Sequence, residues 1–213
     1  VYDRARRRLL LARDRFGEKP LYFARQGALF AFASELNAIA AHSRFSARLR
    51  HRSLQKFFAY GFLPAPNAIL EDCEKLPGGA ALIFDIATRE LRTWRYWRFR
   101  IESEASWNER PEGELIEELR AHLFEAARRR LIADVPLGFF LSGGIDSSAV
   151  LAAATHYLPA DNLKAFTLGF TEPSFDESAP ARRVAEKFGA RHAIDWLDLA
   201  TARDIAPQIL SRL

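Results

Sequence analysis

An apolar run of strand length, "VPLGFFL" (135–141), leads straight into "SGGIDSS" (142–148) and then into the alanine-rich "AVLAAATHYL" (149–158). A chain with this junction must turn sharply from an extended segment into a helix. The free N–H groups at the start of that helix then converge on one point, where the helix dipole favours negative charge. Gly143 and Gly144 allow tight backbone angles and keep side chains away from an approaching anion. Ser142, Ser147 and Ser148 can add hydroxyl donors. Asp146 is the odd residue, because a carboxylate beside an anion repels it unless a cation lies between them; Mg²⁺ is therefore implied, with Asp146 as its ligand. No lysine followed by Ser or Thr stands at the P-loop spacing, and the glycines do not form G-x-G-x-x-G. A plain glycine turn, with Asp146 and the serines capping a helix, is the alternative.

The segments around this junction alternate. "EGELIEELRAHLFEAARRRL" is read as a helix with Leu115, Leu119, Leu123 and Ala126 on one face, acids at its start and arginines at its end. "LKAFTLGF" and "HAIDWLDL" are read as strands, "APARRVAEKF" as a helix closed by Gly189, and "TARDIAPQILSRL" as the start of another helix. Alternation of this kind predicts a parallel sheet covered on both faces, with ligands beyond the carboxyl ends of its strands. Residues 1–99 differ. Short apolar and aromatic runs ("RRLLLA", "PLYFARQ", "ALFAFAS") are broken by "DRFGEKP", "QG" and "KLPGG". They predict a β-rich domain with one helix in "SLQKFFAYGFL" and a hairpin turning near Asp85–Thr88. The polar stretch 100–113 is read as a linker and 114–213 as a second domain.

Composition narrows the function. The net charge is +4, but acids are interspersed among the arginines, so a solvated surface is expected and no nucleic-acid partner. No apolar run is long enough to span a bilayer and no N-terminal secretion signal is present, so a cytoplasmic location without membrane attachment is expected. One cysteine, Cys73, excludes an internal disulfide and any multi-cysteine metal site. Its acidic neighbours would raise its pKa, and the five histidines have no metal-ligand spacing. The chain has no methionine and opens on Val1, from which a fragment is expected.

"SGGIDSS" after an apolar strand resembles the SGGxDS pyrophosphate loop of the PP-loop ATP pyrophosphatases. "ARDRFGEKPLYF" with "FAFASELNAI" resembles the RDxxGxxPLY…ASE signature late in the glutaminase domain of glutamine-hydrolysing asparagine synthetases, and "KLPGG" and "ADVPLGFFLSGGIDSSAV" resemble further segments of that family. The resemblance implies a mixed α/β and α+β chain. Its first part would be the β-rich C-terminal part of an N-terminal-nucleophile (Ntn) glutaminase domain, and its second a truncated, parallel-sheet PP-loop domain of the adenine nucleotide α-hydrolase type.

The resemblance also implies ATP and Mg²⁺ as cofactors and glutamine and aspartate as substrates. Aspartate would be activated as β-aspartyl-AMP and amidated by ammonia from glutamine, releasing AMP and pyrophosphate. Carried over by position, Ser142, Gly143, Gly144, Asp146, Ser147 and Ser148 form the pyrophosphate loop, and Leu141 and Leu168 contact the nucleotide. No catalytic nucleophile is expected here, since the family's N-terminal cysteine precedes the matching segments; the fragment alone is expected to be inactive, and the full-length protein to form a homodimer. The rival readings are a related enzyme acting on another carboxylate (closing β-lactams, cyclising peptides or amidating envelope sugars), a tRNA-thiolating enzyme, and a non-catalytic nucleotide-binding remnant. Asp176 and Glu177 are read as helix caps, Arg13 and Asp14 as a turn contact or ion pair, and Tyr96 and Trp97 as core.

Overall fold

The computed structural model describes residues 1–101 and 109–210. The chain divides into two compact units, Val1–Glu102 and Ser103–Leu213. Half of the expected linker, residues 102–108, lies outside the described residues. No helix among the described residues is long and apolar enough to cross a membrane.

In the first unit β1 (Tyr2–Asp3), β2 (Arg8–Ala12), β3 (Tyr22–Gln26), β4 (Leu29–Ala33), α1 (Leu36–Ala40), α2 (His51–Tyr60), β5 (Cys73–Lys75), β6 (Ala80–Asp85) and β7 (Leu91–Arg95) follow one another. One sheet has the order β1-β2-β6-β7 and the other β4-β3-β5, with every neighbouring pair antiparallel. Successive residues of a strand face opposite ways, and β3 uses both faces. Phe23 packs with Leu11, Leu76 and Leu82, while Ala24 packs with Ile39, Phe45 and Cys73. The β4-β3-β5 sheet is thus the middle layer, and the Phe30 and Phe84 rings, stacked with centroids 4.0 Å apart, bind it to the other sheet. Cys73 is fully buried, and that burial first of all lifts its thiol to about 11, so it is a packing residue.

The "DRFGEKP" turn is held by Arg13, whose guanidinium donates to the carbonyls of Lys19 (2.8 Å), Leu76 (2.6 Å) and Gly17 (2.6 Å). Asp14 accepts from the N–H groups of Lys19 and Glu18, which hold its carboxyl below the usual range. Both residues make turn contacts rather than an ion pair with each other. Tyr96 and Trp97 are not core: Tyr96 is 49% exposed, though its hydroxyl donates to the Arg13 carbonyl. Trp97 is half-buried, its ring edge-on to Phe16 at 4.8 Å. They follow β7, an edge strand, and both of their N–H groups donate to the Gly79 carbonyl.

The second unit contains α3 (Glu112–Arg130), β8 (Phe139–Phe140), α4 (Ile145–Ala154), a 3-10 turn (Ala160–Asn162), β9 (Lys164–Phe170), α5 (Ser178–Phe188), β10 (Arg191–Leu197) and α6 (Leu199–Leu210). Its sheet has the order β10-β9-β8, parallel throughout. Leu141, Leu151, Ala154, Leu163, Ala165, Ala181 and Ala185 form its core. Ala165 and Thr167 are buried and alternate with Phe166 and Leu168, which are 44% and 48% exposed. Among the described residues the sheet is therefore covered on one face, not on both as expected. α5 ends at Gly189, whose φ of 66° closes it in the left-handed region.

Candidate functional site

β8 ends one residue before the loop, but the ladder reaches one residue further. The Leu141 N–H donates to the Phe166 carbonyl at 2.8 Å, and the buried Thr167 hydroxyl donates to the Leu141 carbonyl at 2.6 Å. The chain then turns at Gly143, whose φ is 76°. A Cβ there would lie 2.6 Å from the Ala181 nitrogen and 2.7 Å from Pro180 atoms, so the loop is seated directly on the first turn of α5. Gly144 differs from its expected role: its φ of −70° is open to any residue. What its missing Cβ provides is an uncovered approach to the helix start.

α4 begins at Ile145 with no side-chain cap, so the N–H groups of Ile145, Asp146 and Ser147 have no intrahelical acceptor. Within the loop the serines bond to one another. Ser147 Oγ accepts from the Ser142 N–H (3.3 Å), the two hydroxyls are 3.0 Å apart, and Ser142 Oγ accepts from the Gly144 N–H (3.2 Å). Ser148 Oγ is buried with no hydrogen-bond partner among the described residues. Asp146 is exposed in the first turn of α4.

Beside the loop, on the open face of the sheet, lies a cleft of about 370 Å³, within the size range of small-molecule sites. Leu141, Ser142, Ser147 and Leu168 line it together with Phe140, Phe166, Thr167, Phe170 and Glu177. Four of the eight residues singled out in the sequence are thus brought to one cleft. Gly143, Gly144, Asp146 and Ser148 lie in the adjoining loop and helix start and do not line it. Sequence reasoning missed the aromatic walls Phe140 and Phe166, and it read Glu177 as a cap. The capping is done by Asp176, which accepts from the Ser178 hydroxyl (2.8 Å) and N–H (3.0 Å) and from the Phe170 N–H (3.3 Å). These bonds, the Ser178 hydroxyl first, hold its carboxyl below the usual range. It also missed His192, whose Nε2 is 2.7 Å from Thr167 Oγ1; burial and then Arg182 lower its pKa.

The arrangement offers a dipole-backed cluster of backbone donors, an exposed carboxylate next to it, and an adjoining cleft with Phe140, Phe166 and Leu168 in its walls. Comparison with known proteins accords with this chemistry. The glutamine amidotransferase domain family matches residues 1–97 and the asparagine synthase family residues 118–211. A Methanocaldococcus jannaschii protein assigned by name to the glutamine-hydrolysing asparagine synthetases is 33% identical over 90% of this chain and 37% of its own length. Asparagine synthetase [glutamine-hydrolyzing] 3 of Bacillus subtilis is 31% identical over 90% of this chain and 33% of its own. A Gibberella zeae protein, amidase chry2, is 32% identical over 89% and 29%. The chain spans about a third of the length of these relatives. Two family models, in this order and covering nearly all of the sequence, meet relatives that align across both units, and the chain belongs to the glutamine-hydrolysing asparagine synthetase family.

Proposed function

We propose that this chain is part of a glutamine-dependent carbon–nitrogen ligase, in which residues 1–99 belong to an Ntn-type glutaminase domain and 114–213 to a PP-loop synthetase domain. The second unit binds ATP. The carrying observation is the uncapped start of α4, seated on α5 by Gly143 and opening beside the Leu168–Phe166 slot. Phosphates meet the N–H groups of Ile145, Asp146 and Ser147 and the Ser142 and Ser147 hydroxyls, while adenine lies against Leu168 and Phe166. The donor set also fits Mg²⁺. This ion is commonly held by one or two carboxylates together with substrate phosphates, and Asp146 is an exposed carboxylate with no partner among the described residues. Bound there, Mg²⁺ would offset the charge of the leaving pyrophosphate.

The reaction proposed is adenylation of a carboxylate, aspartate by family, followed by attack of ammonia derived from glutamine. A carboxylate is a poor electrophile, and the mixed anhydride supplies AMP as a leaving group. The chain's own contribution is to hold the polyphosphate by fixed backbone dipoles that need no reorganisation as charge shifts to pyrophosphate. The amidase-named relative keeps a second acceptor class in view. Titration of the protein with ATP and Mg²⁺ in a calorimeter tests the proposal. Saturable binding that depends on Mg²⁺ and drops on the order of tenfold or more in Asp146→Ala is expected; no binding, or binding indifferent to Asp146, would sink it.

A further inference from the structure

We infer that His192 and Thr167 are positioning residues for the phosphate loop, acting through a one-way chain of hydrogen bonds that ends at Ser142 and Ser147. The inference rests on the nucleotide reading of that loop.

Proton accounting fixes the direction of the chain. The Leu141 carbonyl can only accept, so the single hydroxyl proton of Thr167 is committed to it across 2.6 Å. The 2.7 Å contact between Thr167 Oγ1 and His192 Nε2 then requires Nε2 to be the donor. The imidazole is thereby held in its Nε2–H form. The peptide between Leu141 and Ser142 passes the polarisation on: its oxygen accepts from Thr167, and its N–H donates to Ser147 Oγ at 3.3 Å. Ser147 Oγ in turn has the Gly144 carbonyl at 3.3 Å and Ser142 Oγ at 3.0 Å. The three donors from His192 Nε2 through Thr167 Oγ1 to the Ser142 N–H all point from β10 toward the loop, the arrangement in which successive bonds strengthen one another.

The register of the sheet makes this possible. His192 pairs with Ala165 in the ladder and Phe139 pairs with the same residue from the other side. Thr167, two residues along β9 on the same face, lies diagonally between His192 and Leu141 and is only 6% exposed. A buried hydroxyl joining two neighbouring strands fixes the plane of the peptide from which the loop departs. The orientation of the Ser142 N–H and hydroxyl therefore depends on a side chain two strands away.

Four variants and one spectrum test this. Thr167→Val and His192→Leu remove the hydroxyl and the donor; Thr167→Ser and His192→Gln keep them. Calorimetric titration with MgATP is expected to show affinity lower on the order of tenfold in the first pair, as for one hydrogen bond. Near wild-type affinity is expected in the second pair, and a Thr167→Val/His192→Leu double variant should be no weaker than the weaker single. Nitrogen NMR of wild-type imidazole should show the proton on Nε2, a readout that survives if a variant fails to fold. Wild-type affinity in Thr167→Val and His192→Leu, whatever happens to their melting temperatures, would overturn the inference while leaving the nucleotide reading intact, and so would a neutral His192 with a bare Nε2. If the wild type binds no MgATP, the nucleotide reading fails and this inference falls with it.

Discussion

Gly143 carries a φ of 76°, and a Cβ there would lie 2.6 Å from the backbone nitrogen of Ala181. Gly189 has a similar φ of 66° but nothing within 4 Å of the same position. The two glycines separate conformational cost from steric cost. Gly189→Ala should cost about 1 kcal/mol, the strain of a left-handed angle alone. Gly143→Ala should cost roughly 2–4 kcal/mol, because strain is joined by a backbone clash that no rotamer change relieves. Urea denaturation of both variants checks the difference, and equal losses would mean that the seat on α5 is unimportant. The role of Gly143 was legible in the sequence, since a glycine between an apolar strand and a helix start announces a special angle. The roles of Thr167 and His192 were not. Their bond joins residues 25 apart, and its existence depends on strand register, which no local pattern encodes.

At the scale of elements, the β6–β7 hairpin is locked by one side chain. Asp85 accepts from the N–H groups of Ala87 and Thr88 (both 3.0 Å) and from Arg8 Nε on β2 (2.9 Å). The Thr88 bond and then Arg8 pull its pKa from the ordinary 3.8 to about 2. A carboxyl that is more acidic when folded stabilises the protein above its unfolded pKa and loses that contribution as pH falls through the folded one. The first unit should therefore lose stability between about pH 4 and pH 2. Asp85→Asn should flatten that part of the pH profile, as followed by chemical denaturation at each pH; an unchanged profile would contradict it. The hairpin itself was readable from its alternation and its turn residues. The face of α3 was less so. Leu119 is 69% exposed, while Phe124, off the expected face, is half-buried and Ala127, also off it, is buried. Periodicity gave the helix correctly but cannot say which stretch of it meets a neighbour. The apolar run 135–141 is shorter as a strand than expected: its ladder pairs in β9 are Phe139 with Ala165 and Phe140 with Phe166, and the Leu141 N–H adds one more bond to the Phe166 carbonyl.

Across the whole molecule, each unit has its own buried clusters, Ala24 to Cys73 and Leu11 to Leu82 in the first and Leu141 to Ala185 in the second. Each therefore has its own source of stability, and a ligand that touches one core transmits its binding free energy first to the amides of that core. MgATP at one hundred times its dissociation constant contributes about 2.7 kcal/mol to whatever state binds it. Hydrogen exchange followed by mass spectrometry should show this as slower exchange in peptides covering 139–148 and 164–170. The strands at 8–12 and 80–95 should exchange as before. Phe140 is 91% exposed and flanks the cleft, so the protected region should extend onto the open face of the sheet rather than stop at the loop. Protection spread evenly over both units would show that the two cores unfold as one rather than independently. Protection of the loop without β9 would contradict the placement of the ring against Leu168 and Phe166, because a base lying there covers the strand it rests on.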